Sequence, residues 1–247
     1  MFRFFSRQVK PELFWTTDVH SHVCPGIDDG AGTVEMAVEL VGGMYDMGFR
    51  RMITTPHITD EVFPNTAESI GNSFSILTSA LDQSGVGMEM DVAAEHRIDD
   101  LFYSMLRENS VRLLPGGKHI LIENAWSGEP YGLDALIKNL IKEHGLIPVL
   151  AHPERYEYYH HNRDRFADLH KKGVKLQINL LSLSGHYGKE FKKTAEQLLS
   201  SGLVSFVGSD LHRQSHIVSI RKYLASSDFR KLQIQAAMIE NDKAFAL

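Results

Sequence analysis

Six short apolar runs in this chain are each followed by a residue that can bind a metal ion. Each run lies between polar segments, which is typical of a buried strand. The runs and the residues after them are FWTTD with His20 and His22, RMITT with Pro56 and His57, MDVAA with Glu95, HILI with Glu123, IPVLA with His152, and SFVGS with Asp210 and His212. Because an α/β barrel forms its active site at the carboxyl ends of its strands, the pattern predicts a multinuclear metal enzyme.

Helix-like stretches alternate with the apolar runs. Thr33 suits an N-cap and Gly48 a helix end, and the apolar residues between them recur at helical spacing. Further helices are expected at 66–83, 131–144, 163–172, 189–200, 217–226 and 228–241. Strand, loop and helix repeated in this way predict an α/β fold whose parallel strands form a closed or nearly closed barrel. The alternative is an open doubly wound sheet, which would place the ligands at one switch point.

Length and composition are those of a globular protein with a sizeable core. The chain of 247 residues, 43% of them hydrophobic, fits a single domain over 1–247, with an N-terminal tail at 1–13 that docks on it. Basic residues interrupt the apolar start of the chain, so a secretory signal is not expected. No apolar stretch is long enough for a membrane span. The net charge is -5 and no Lys/Arg-rich block occurs, so nucleic acid is not an expected partner.

Cys24 is the single cysteine of the chain. One thiol excludes a disulfide within the chain and a zinc site built on cysteines, and it fits a reducing compartment, so the expected location is cytoplasmic. A thiol phosphatase of the usual kind needs an arginine shortly after its cysteine, but no arginine lies between Cys24 and Gly30. Cys24 is therefore expected to be a loop residue without a nucleophilic role.

The residues after the first strand predict a metal site beside the glycine-rich loop PGIDDGAG. In extended backbone His20 and His22 point to the same face, so both imidazoles can reach one ion; the alternative is two surface histidines. Asp28 and Asp29 lie in the loop, where a DDG triplet is most often a plain turn. Asp29 is nevertheless expected to be a ligand, because the loop would fold over the mouth of the barrel.

Carboxylates and histidines end the later strands. Glu95 and Glu123 are costly to bury unpaired, so each predicts a neighbouring cation or arginine; the alternative is an ion pair at the barrel rim. Asp210 and His212 repeat the alternating spacing of the first histidine pair. His57 considered alone would more often be a hydrogen-bonded polar side chain than a ligand. Nitrogen and oxygen ligands without a thiolate favour Mn, Fe or Zn.

His152 and Arg155 stand close together in the segment HPERY. The planar fork of an arginine fits two oxygens of a phosphate, so Arg155 is a candidate phosphate contact; the alternative is an ion pair with Glu154 or Glu157. The Arg155 side chain is expected to face solvent in the resting protein. The other eight histidines, such as His144, His160 and His161, are expected to face solvent as well.

Six segments in order carry a resemblance to a known family. They are DVHSHVCPGIDDG, TTPH, AAEHRID, LIEN, AHPERY and GSDLH, and the match runs from about residue 16 to about residue 213. With them the chain resembles the metal-dependent tyrosine phosphatases of bacterial capsule and exopolysaccharide loci, a branch of the polymerase and histidinol phosphatase (PHP) superfamily. PGIDDG, TPH and HPERY are specific to that branch. The resemblance implies a distorted (β/α)7 barrel of the PHP type with three metal ions at its mouth.

The resemblance also implies a role for each candidate residue. The first ion would be bound by His20, His22, Glu95 and Asp210, the second by Asp29, His57 and His212, and the third by Glu123 and His152, with Glu95 as the bridge. Arg155 would bind the phosphate, with Arg213 as a second contact. Family members often carry this second arginine a short way past the D-x-H motif, whereas Arg213 follows it at once and Arg221 lies further on. The stretch NAWSGEP lacks the aromatic residue commonly found directly after the glutamate that precedes it.

The implied activity is hydrolysis of a phosphomonoester by a protein-tyrosine phosphatase that acts in capsular or exopolysaccharide regulation. Its substrate would be a phosphotyrosine segment of a bacterial tyrosine kinase or a similar phosphoprotein, and its cofactors three divalent ions, Mn before Fe or Zn. Three alternatives stay open: a PHP phosphatase of a small molecule such as histidinol phosphate, an amidohydrolase-type barrel, and a non-catalytic metal-stabilised binding module. An amidohydrolase usually needs a modified lysine at a strand end, and none of the six ends is a lysine.

Overall fold

Nine short strands, each parallel to its neighbours, form the centre of the computed structural model, which describes residues 12–245. They are β1 (Thr17–Asp18), β2 (Arg51–Thr54), β3 (His57–Ile58), β4 (Glu89–Val92), β5 (Glu95–Arg97), β6 (His119–Glu123), β7 (Ile147–Ala151), β8 (Lys175–Asn179) and β9 (Val204–Gly208). All six apolar runs contribute to strands, and the predicted α/β fold with parallel strands is confirmed. The predicted tail at 1–13 lies outside the described residues except for Glu12 and Leu13.

The strands belong to two sheets that share chain segments. One sheet has the order β1-β2-β4 and the other the order β3-β5-β6-β7-β8-β9. Only residues 55–56 separate β2 from β3, and only residues 93–94 separate β4 from β5, so two segments pass through both sheets. A parallel bridge between Ser21 and Leu211 joins the segment after β1 to the segment after β9. The carboxyl ends of strands from both sheets are thereby brought to one edge.

Helices connect most successive strands. They are α1 (Val34–Met47), α2 (Ala67–Ser84), α3 (Asp100–Arg107), α4 (Leu133–Lys142), α5 (Glu157–His160), α6 (Asp164–Lys171), α7 (Leu180–Ser184), α8 (Lys189–Ser200), α9 (Gln214–Leu224), α10 (Ser227–Lys231), α11 (Gln233–Ala236) and α12 (Asn241–Ala244), with a 3-10 turn at Pro153–Arg155. The six helices predicted before residue 227 are confirmed as α1, α2, α4, α6, α8 and α9. Within residues 12–245, no helix is both long and apolar enough to cross a membrane.

The caps predicted for the first helix are present. The Thr33 hydroxyl accepts a hydrogen bond from Met36 N at 3.2 Å, and this bond satisfies one of the free amides at the start of α1. Gly48 ends the helix with φ at 111°, a backbone conformation that residues with a side chain rarely adopt. The cap residues thus set both ends of α1, which places the glycine-rich loop before it at the carboxyl edge of the sheets.

The predicted single helix at 228–241 is wrong, because two short helices, α10 and α11, occupy most of that stretch and α12 begins at its last residue. The side chain of Asn241 is fully buried and donates to the backbone oxygens of Thr17 at 2.8 Å and Val207 at 2.7 Å. It also accepts from Val207 N at 3.0 Å. These bonds hold the chain against β1 and β9, so tertiary contacts override the local helical spacing.

Apolar side chains pack on both sides of the strands. A large cluster joins the helices to the sheets, and a smaller one takes side chains from several strands, including Ile53, Leu121 and Val149. Because successive side chains of a strand point to opposite faces, Glu123 in β6 points to the same face as Leu121. The smaller apolar cluster therefore forms a floor for the polar residues that follow it along the strands.

Candidate metal centre

The nine residues predicted as metal ligands meet at the carboxyl ends of the strands. Their ligand atoms form three groups, each with all atoms within 4.8 Å of one another: His20 with His22 and Glu95; His22 with Asp29, His57 and His212; and His57 with Glu95 and Glu123. His152 adjoins these groups through Glu95, and Asp210 adjoins them through His20 and His22. Since the groups share members, they form one continuous cluster.

Glu95 lies at the centre of the cluster and is fully buried. One carboxylate oxygen, Oε2, lies 3.3 Å from His20 Nε2, 3.4 Å from His22 Nε2 and 3.1 Å from His57 Nδ1. The other oxygen, Oε1, lies 2.9 Å from His152 Nε2. A buried carboxylate is costly unless it is paired or bound to a cation. The position of Glu95 among four imidazoles suits a bridging ligand.

Two residues of the cluster have strained backbones. His152 follows β7 with φ at 33°, and Asp210 lies just beyond β9 with φ at 52°. Residues other than glycine rarely occupy this left-handed region. Asp210 Oδ1 lies 3.7 Å from His20 Nε2 and 3.5 Å from His22 Nε2. Such strain persists only where the surrounding structure enforces it, and it concentrates at functional sites.

Asp29 and Glu123 differ in their surroundings. Asp29 Oδ1 lies 3.5 Å from His57 Nε2 and 3.3 Å from His212 Nε2, and its side chain is 53% exposed. Glu123 is buried, and its Oε2 accepts from Arg97 Nε at 3.0 Å. Arg97 is therefore the arginine that the sequence predicted beside a buried glutamate.

Outer hydrogen bonds determine which nitrogen of each histidine faces the cluster. In three cases Nδ1 donates to an oxygen: His20 to Gln177 Oε1 at 2.7 Å, His22 to Asp28 Oδ2 at 2.8 Å, and His212 to the backbone oxygen of Asp210 at 2.8 Å. A ring nitrogen that donates in this way carries the proton. The Nε2 atom of each of these rings therefore presents its lone pair to the cluster.

The donor set fits divalent cations. His20 Nε2 and His22 Nε2 lie 3.1 Å apart, and two facing lone pairs at that distance repel each other unless a cation binds both. Within residues 12–245, Glu95 Oε2 and His57 Nδ1 are buried and lie 3.1 Å apart, but neither has a partner in hydrogen-bonding geometry. Imidazole and carboxylate groups are common ligands of Mn, Fe and Zn.

The charges of the cluster also favour bound cations. Burial lowers the pKa of His20, but the carboxylates of Glu95 and Asp210 outweigh this effect and raise the pKa to about 10. Burial raises the pKa of Asp210, yet the neighbouring His212, His20 and Arg155 hold it well below its usual range. Both shifts arise because buried carboxylates require positive charge beside them. Without a cation, a second proton on His20 supplies this charge, and a bound divalent cation would take the place of that proton on Nε2.

Arg155 reaches the cluster from the turn after β7. Its Nη1 donates to Asp210 Oδ2 at 2.8 Å, so its ion pair is with Asp210 rather than with Glu154 or Glu157. The side chain is only 23% exposed, and the expectation that it faces solvent is therefore wrong. The buried carboxylate of Asp210 holds the guanidinium inside the site.

A cavity of about 720 Å³ opens onto the cluster. Arg155 and the exposed Arg213 both line it. Trp126 lines it too, and its ring stacks on that of His152 with 5.6 Å between the ring centres and 7° between the planes. Trp126 thus provides an aromatic wall, although no aromatic residue directly follows Glu123.

Gln177, Asn179 and Asp28 form hydrogen bonds to candidate ligands, and a search for ligands at strand ends does not find them. Gln177 and Asn179 lie in β8, a strand that does not end in a candidate metal ligand. In the sequence, this strand could have been recognised from the largely apolar run VKLQINL. Gln177 Nε2 donates to Asn179 Oδ1 at 2.8 Å, and Asn179 Nδ2 donates to Asp210 Oδ2 at 2.7 Å. Asp28 accepts a hydrogen bond from His22 and orients its ring. The DDG motif alone does not distinguish such a residue from one in a plain turn.

Two of the eight histidines outside the proposed ligand set, His96 and His216, are buried, contrary to the expectation that they face solvent. His96 Nε2 accepts from Arg112 N at 3.1 Å, and His216 Nδ1 accepts from His212 N at 3.3 Å. Burial lowers the pKa of both His96 and His216 to about 4. Both rings are therefore neutral near pH 7, and they serve as hydrogen-bond acceptors for the backbone.

Cys24 is fully buried, and it does not line the cavity. Burial raises the pKa of its thiol to about 12. A thiol with this pKa is protonated near neutral pH and is a poor nucleophile. The burial agrees with the prediction that Cys24 has no nucleophilic role.

Proteins with similar sequences and structures include tyrosine phosphatases. The tyrosine-protein phosphatase YwqE of Bacillus subtilis (strain 168) is 31% identical over 195 residues, which cover 79% of this chain and 76% of YwqE. Among solved structures, a chain described with YwqE from Bacillus subtilis and CpsB from Streptococcus pneumoniae as unique metal-dependent tyrosine phosphatases matches with a TM-score of 0.79. That match has 28% identity and covers 93% of this chain and 96% of the other.

An amidohydrolase from Mycoplasma synoviae is similar in fold alone. Its TM-score is 0.55 at 14% identity, over 93% of this chain and 87% of that chain. None of the nine strands described for this chain ends in a lysine, so the modified lysine usual in amidohydrolases has no counterpart at these positions.

The family predicted from the sequence is confirmed by a match that spans most of the chain. The predicted metal-dependent tyrosine phosphatase activity is also the one named for the relatives above. The family described as "Capsular polysaccharide synthesis, CpsB/CapC" matches residues 16–227, and the chain therefore belongs to this family.

Proposed function

We propose that this protein is a metal-dependent protein-tyrosine phosphatase that acts in capsular or exopolysaccharide regulation. The observation that carries the proposal is the position of the Arg155 guanidinium. It donates to Asp210 at the cluster of candidate metal ligands, and it lines the cavity that opens onto that cluster. Metal ions can supply the nucleophile, and together with a fixed arginine they can stabilise the charge that develops during hydrolysis of a phosphomonoester. The activities named for YwqE and CpsB support the proposal. The proposed substrate is a phosphotyrosine segment of a bacterial tyrosine kinase or a similar phosphoprotein.

The cluster would hold three divalent ions, Mn before Fe or Zn. The proposed ligands are His20, His22, Glu95 and Asp210 for the first ion, Asp29, His57 and His212 for the second, and Glu123, His152 and the bridging Glu95 for the third. The contacts of both Glu95 oxygens with different histidines support the bridge. Carboxylates in four of the nine positions favour Mn, which binds oxygen ligands well.

The fold proposed for the chain is one domain over 1–247, built on a distorted (β/α)7 barrel of the PHP type. If β2 with β3 and β4 with β5 each count as one broken strand, seven strands remain. Asp210 N donates to His20 O at 2.8 Å, and His22 N donates to Leu211 O at 2.9 Å. These bonds join the segments after the first and the last strand and support closure, since an open sheet has no bonds between its edges.

In the proposed reaction the side chains hold and stabilise the phosphoryl group. Bound ions would supply a hydroxide nucleophile near neutral pH and offset charge on the phosphoryl oxygens. Arg155 uses Nη1 for Asp210, and its other donors are left for the equatorial oxygens as charge develops there. Arg213 adds a second positive charge at the cavity. Tyrosinate, with a conjugate acid of pKa about 10, needs only modest protonation as it leaves.

Substrate preference is the direct test of the proposal. We expect the manganese-loaded protein to hydrolyse a phosphotyrosine peptide with a kcat/KM at least about tenfold above that for histidinol phosphate, because differential binding of this size follows from a few contacts. Steady-state kinetics on both substrates decide the matter. The reverse preference would indicate a small-molecule phosphatase. A protein that binds manganese but turns over neither substrate would be a binding module.

Turnover is expected to depend on metal and not on Cys24. EDTA should abolish hydrolysis and added Mn should restore it, whereas Cys24→Ser should retain it, because the thiol is buried and away from the cavity. Phosphate release is measured beside the metal content of each sample. A Cys24→Ser protein with normal metal content and no activity would contradict this mechanism.

The proposed location is cytoplasmic. The single buried cysteine supports it, because a chain without disulfides fits a reducing compartment.

A further inference from the structure

Arg155 lies against two aromatic rings. Its guanidinium carbon is 4.8 Å from the centre of the Trp126 ring and 4.1 Å from that of the Tyr187 ring. The turn after β7 carries Arg155, and β6 and β8 are the neighbours of β7 in the sheet. Trp126 lies in the loop after β6, and Tyr187 lies in the loop after α7, the short helix that follows β8. The two rings therefore approach the guanidinium from the chain segments that follow the two neighbouring strands, at a distance where cation–π attraction is effective.

A hydrogen bond restrains the same guanidinium in a further direction. Arg155 Nη1 donates to Asp210 Oδ2, and this carboxylate oxygen also accepts from Asn179 Nδ2 at 2.7 Å. A free arginine side chain loses much rotamer freedom when it binds a ligand. The rings and the carboxylate remove that freedom before a substrate enters, so less of the binding energy is lost to ordering the side chain.

Each ring is anchored independently of Arg155. Trp126 stacks on His152 and also contacts the Tyr156 ring, with 5.5 Å between the centres. Tyr187 is half-buried and packs against the main apolar cluster. The face of the Tyr187 ring makes the contact with Arg155, because the guanidinium carbon lies 4.1 Å from the ring centre.

We propose that Tyr187 and Trp126 are positioning residues that hold the Arg155 fork in the orientation in which it binds the phosphoryl group. This inference rests on the proposed phosphatase function and deepens it. It implies that phosphate affinity and turnover depend on the aromatic ring of Tyr187 and not on its hydroxyl. It also implies that the ring acts through Arg155 alone.

The test compares two variants of Tyr187 in the manganese-loaded protein. Tyr187→Leu is expected to lower kcat/KM for an aryl phosphate about tenfold and to weaken the binding of inorganic phosphate by a similar factor. Tyr187→Phe should retain most of both, because the ring remains. Tyr103→Leu is the matched control, since Tyr103 is also half-buried against the main apolar cluster but does not line the cavity.

A double-mutant cycle separates positioning from a general structural effect. In an Arg155→Ala background, Tyr187→Leu should cause no further loss of kcat/KM, and the metal content and melting temperature should match those of Arg155→Ala alone. An equal loss in both backgrounds, or the same loss in Tyr187→Phe, would overturn the inference while leaving the phosphatase function intact. If the wild-type protein does not turn over aryl phosphate, the phosphatase function fails. Calorimetric titration with phosphate then decides the inference, and undiminished affinity in Tyr187→Leu overturns it.

Discussion

Arg155→Ala is expected to lower kcat/KM for an aryl phosphate by about a hundredfold or more while the protein keeps its metal and its fold. Loss of one preorganised donor at a developing charge commonly has an effect of this size. The donors of Arg155 lie beside Asp210 and line the cavity above the cluster, so their contribution grows as charge develops on the phosphoryl oxygens. Asp210 keeps its bond from Asn179 in the variant, which limits the structural damage.

Two further variants control for charge and for the loss of an ion pair. Arg155→Lys keeps the charge but loses the planar fork, so it should recover only part of the activity. Arg165→Ala removes an arginine paired with Glu129 and Asp134, neither of which lines the cavity, and should leave kcat/KM near wild type. The measurements are kcat/KM, metal content and a melting curve. Near-normal kcat/KM in Arg155→Ala, or a much lower melting temperature, would indicate that its bond to Asp210 is purely structural.

Local sequence patterns predict the parts of this fold that short-range forces determine. The run HILI followed by Glu123 predicts both the strand and the face to which the Glu123 side chain points, because the backbone of a strand fixes the alternation of faces. Thr33 and Gly48 likewise set the ends of α1 through their own cap bonds and backbone conformation. The six ligand-bearing strand ends could be recognised for the same reason.

Contacts between distant residues are not contained in these patterns. Arg155 pairs with Asp210 rather than with its sequence neighbours, because the turn after β7 and the segment after β9 meet only in the folded chain. Gln177 orients His20 from a strand that ends without a ligand. The broken helix at 228–241 has the same cause, since its course depends on bonds to other strands. Sequence therefore indicates the candidate ligands better than the residues that orient them.

Glu95→Gln is expected to lose more metal than any variant of a peripheral ligand, and its activity should fall by more than about a hundredfold even with added manganese. Replacing residues that only orient ligands already costs up to about a hundredfold in metal affinity, and Glu95 is a proposed ligand itself. Both oxygens of this fully buried carboxylate face imidazoles, at 2.9 Å from His152 Nε2 and 3.1 Å from His57 Nδ1. A neutral amide removes the charge and one of the two acceptor oxygens from the bridge.

The comparison with Asp29→Asn and Glu154→Gln makes the experiment specific. Asp29 is half-exposed, so water can take its place on an ion, and its variant should keep more metal than Glu95→Gln. Glu154 is as buried as Glu95, but burial raises its pKa to about 7, so a neutral side chain there should be tolerated with full metal content. Elemental analysis of the purified proteins, beside a melting curve, gives the result. Full metal occupancy in a folded Glu95→Gln protein would remove Glu95 from the metal site, and equal losses in Glu95→Gln and Asp29→Asn would argue against its role as the bridge.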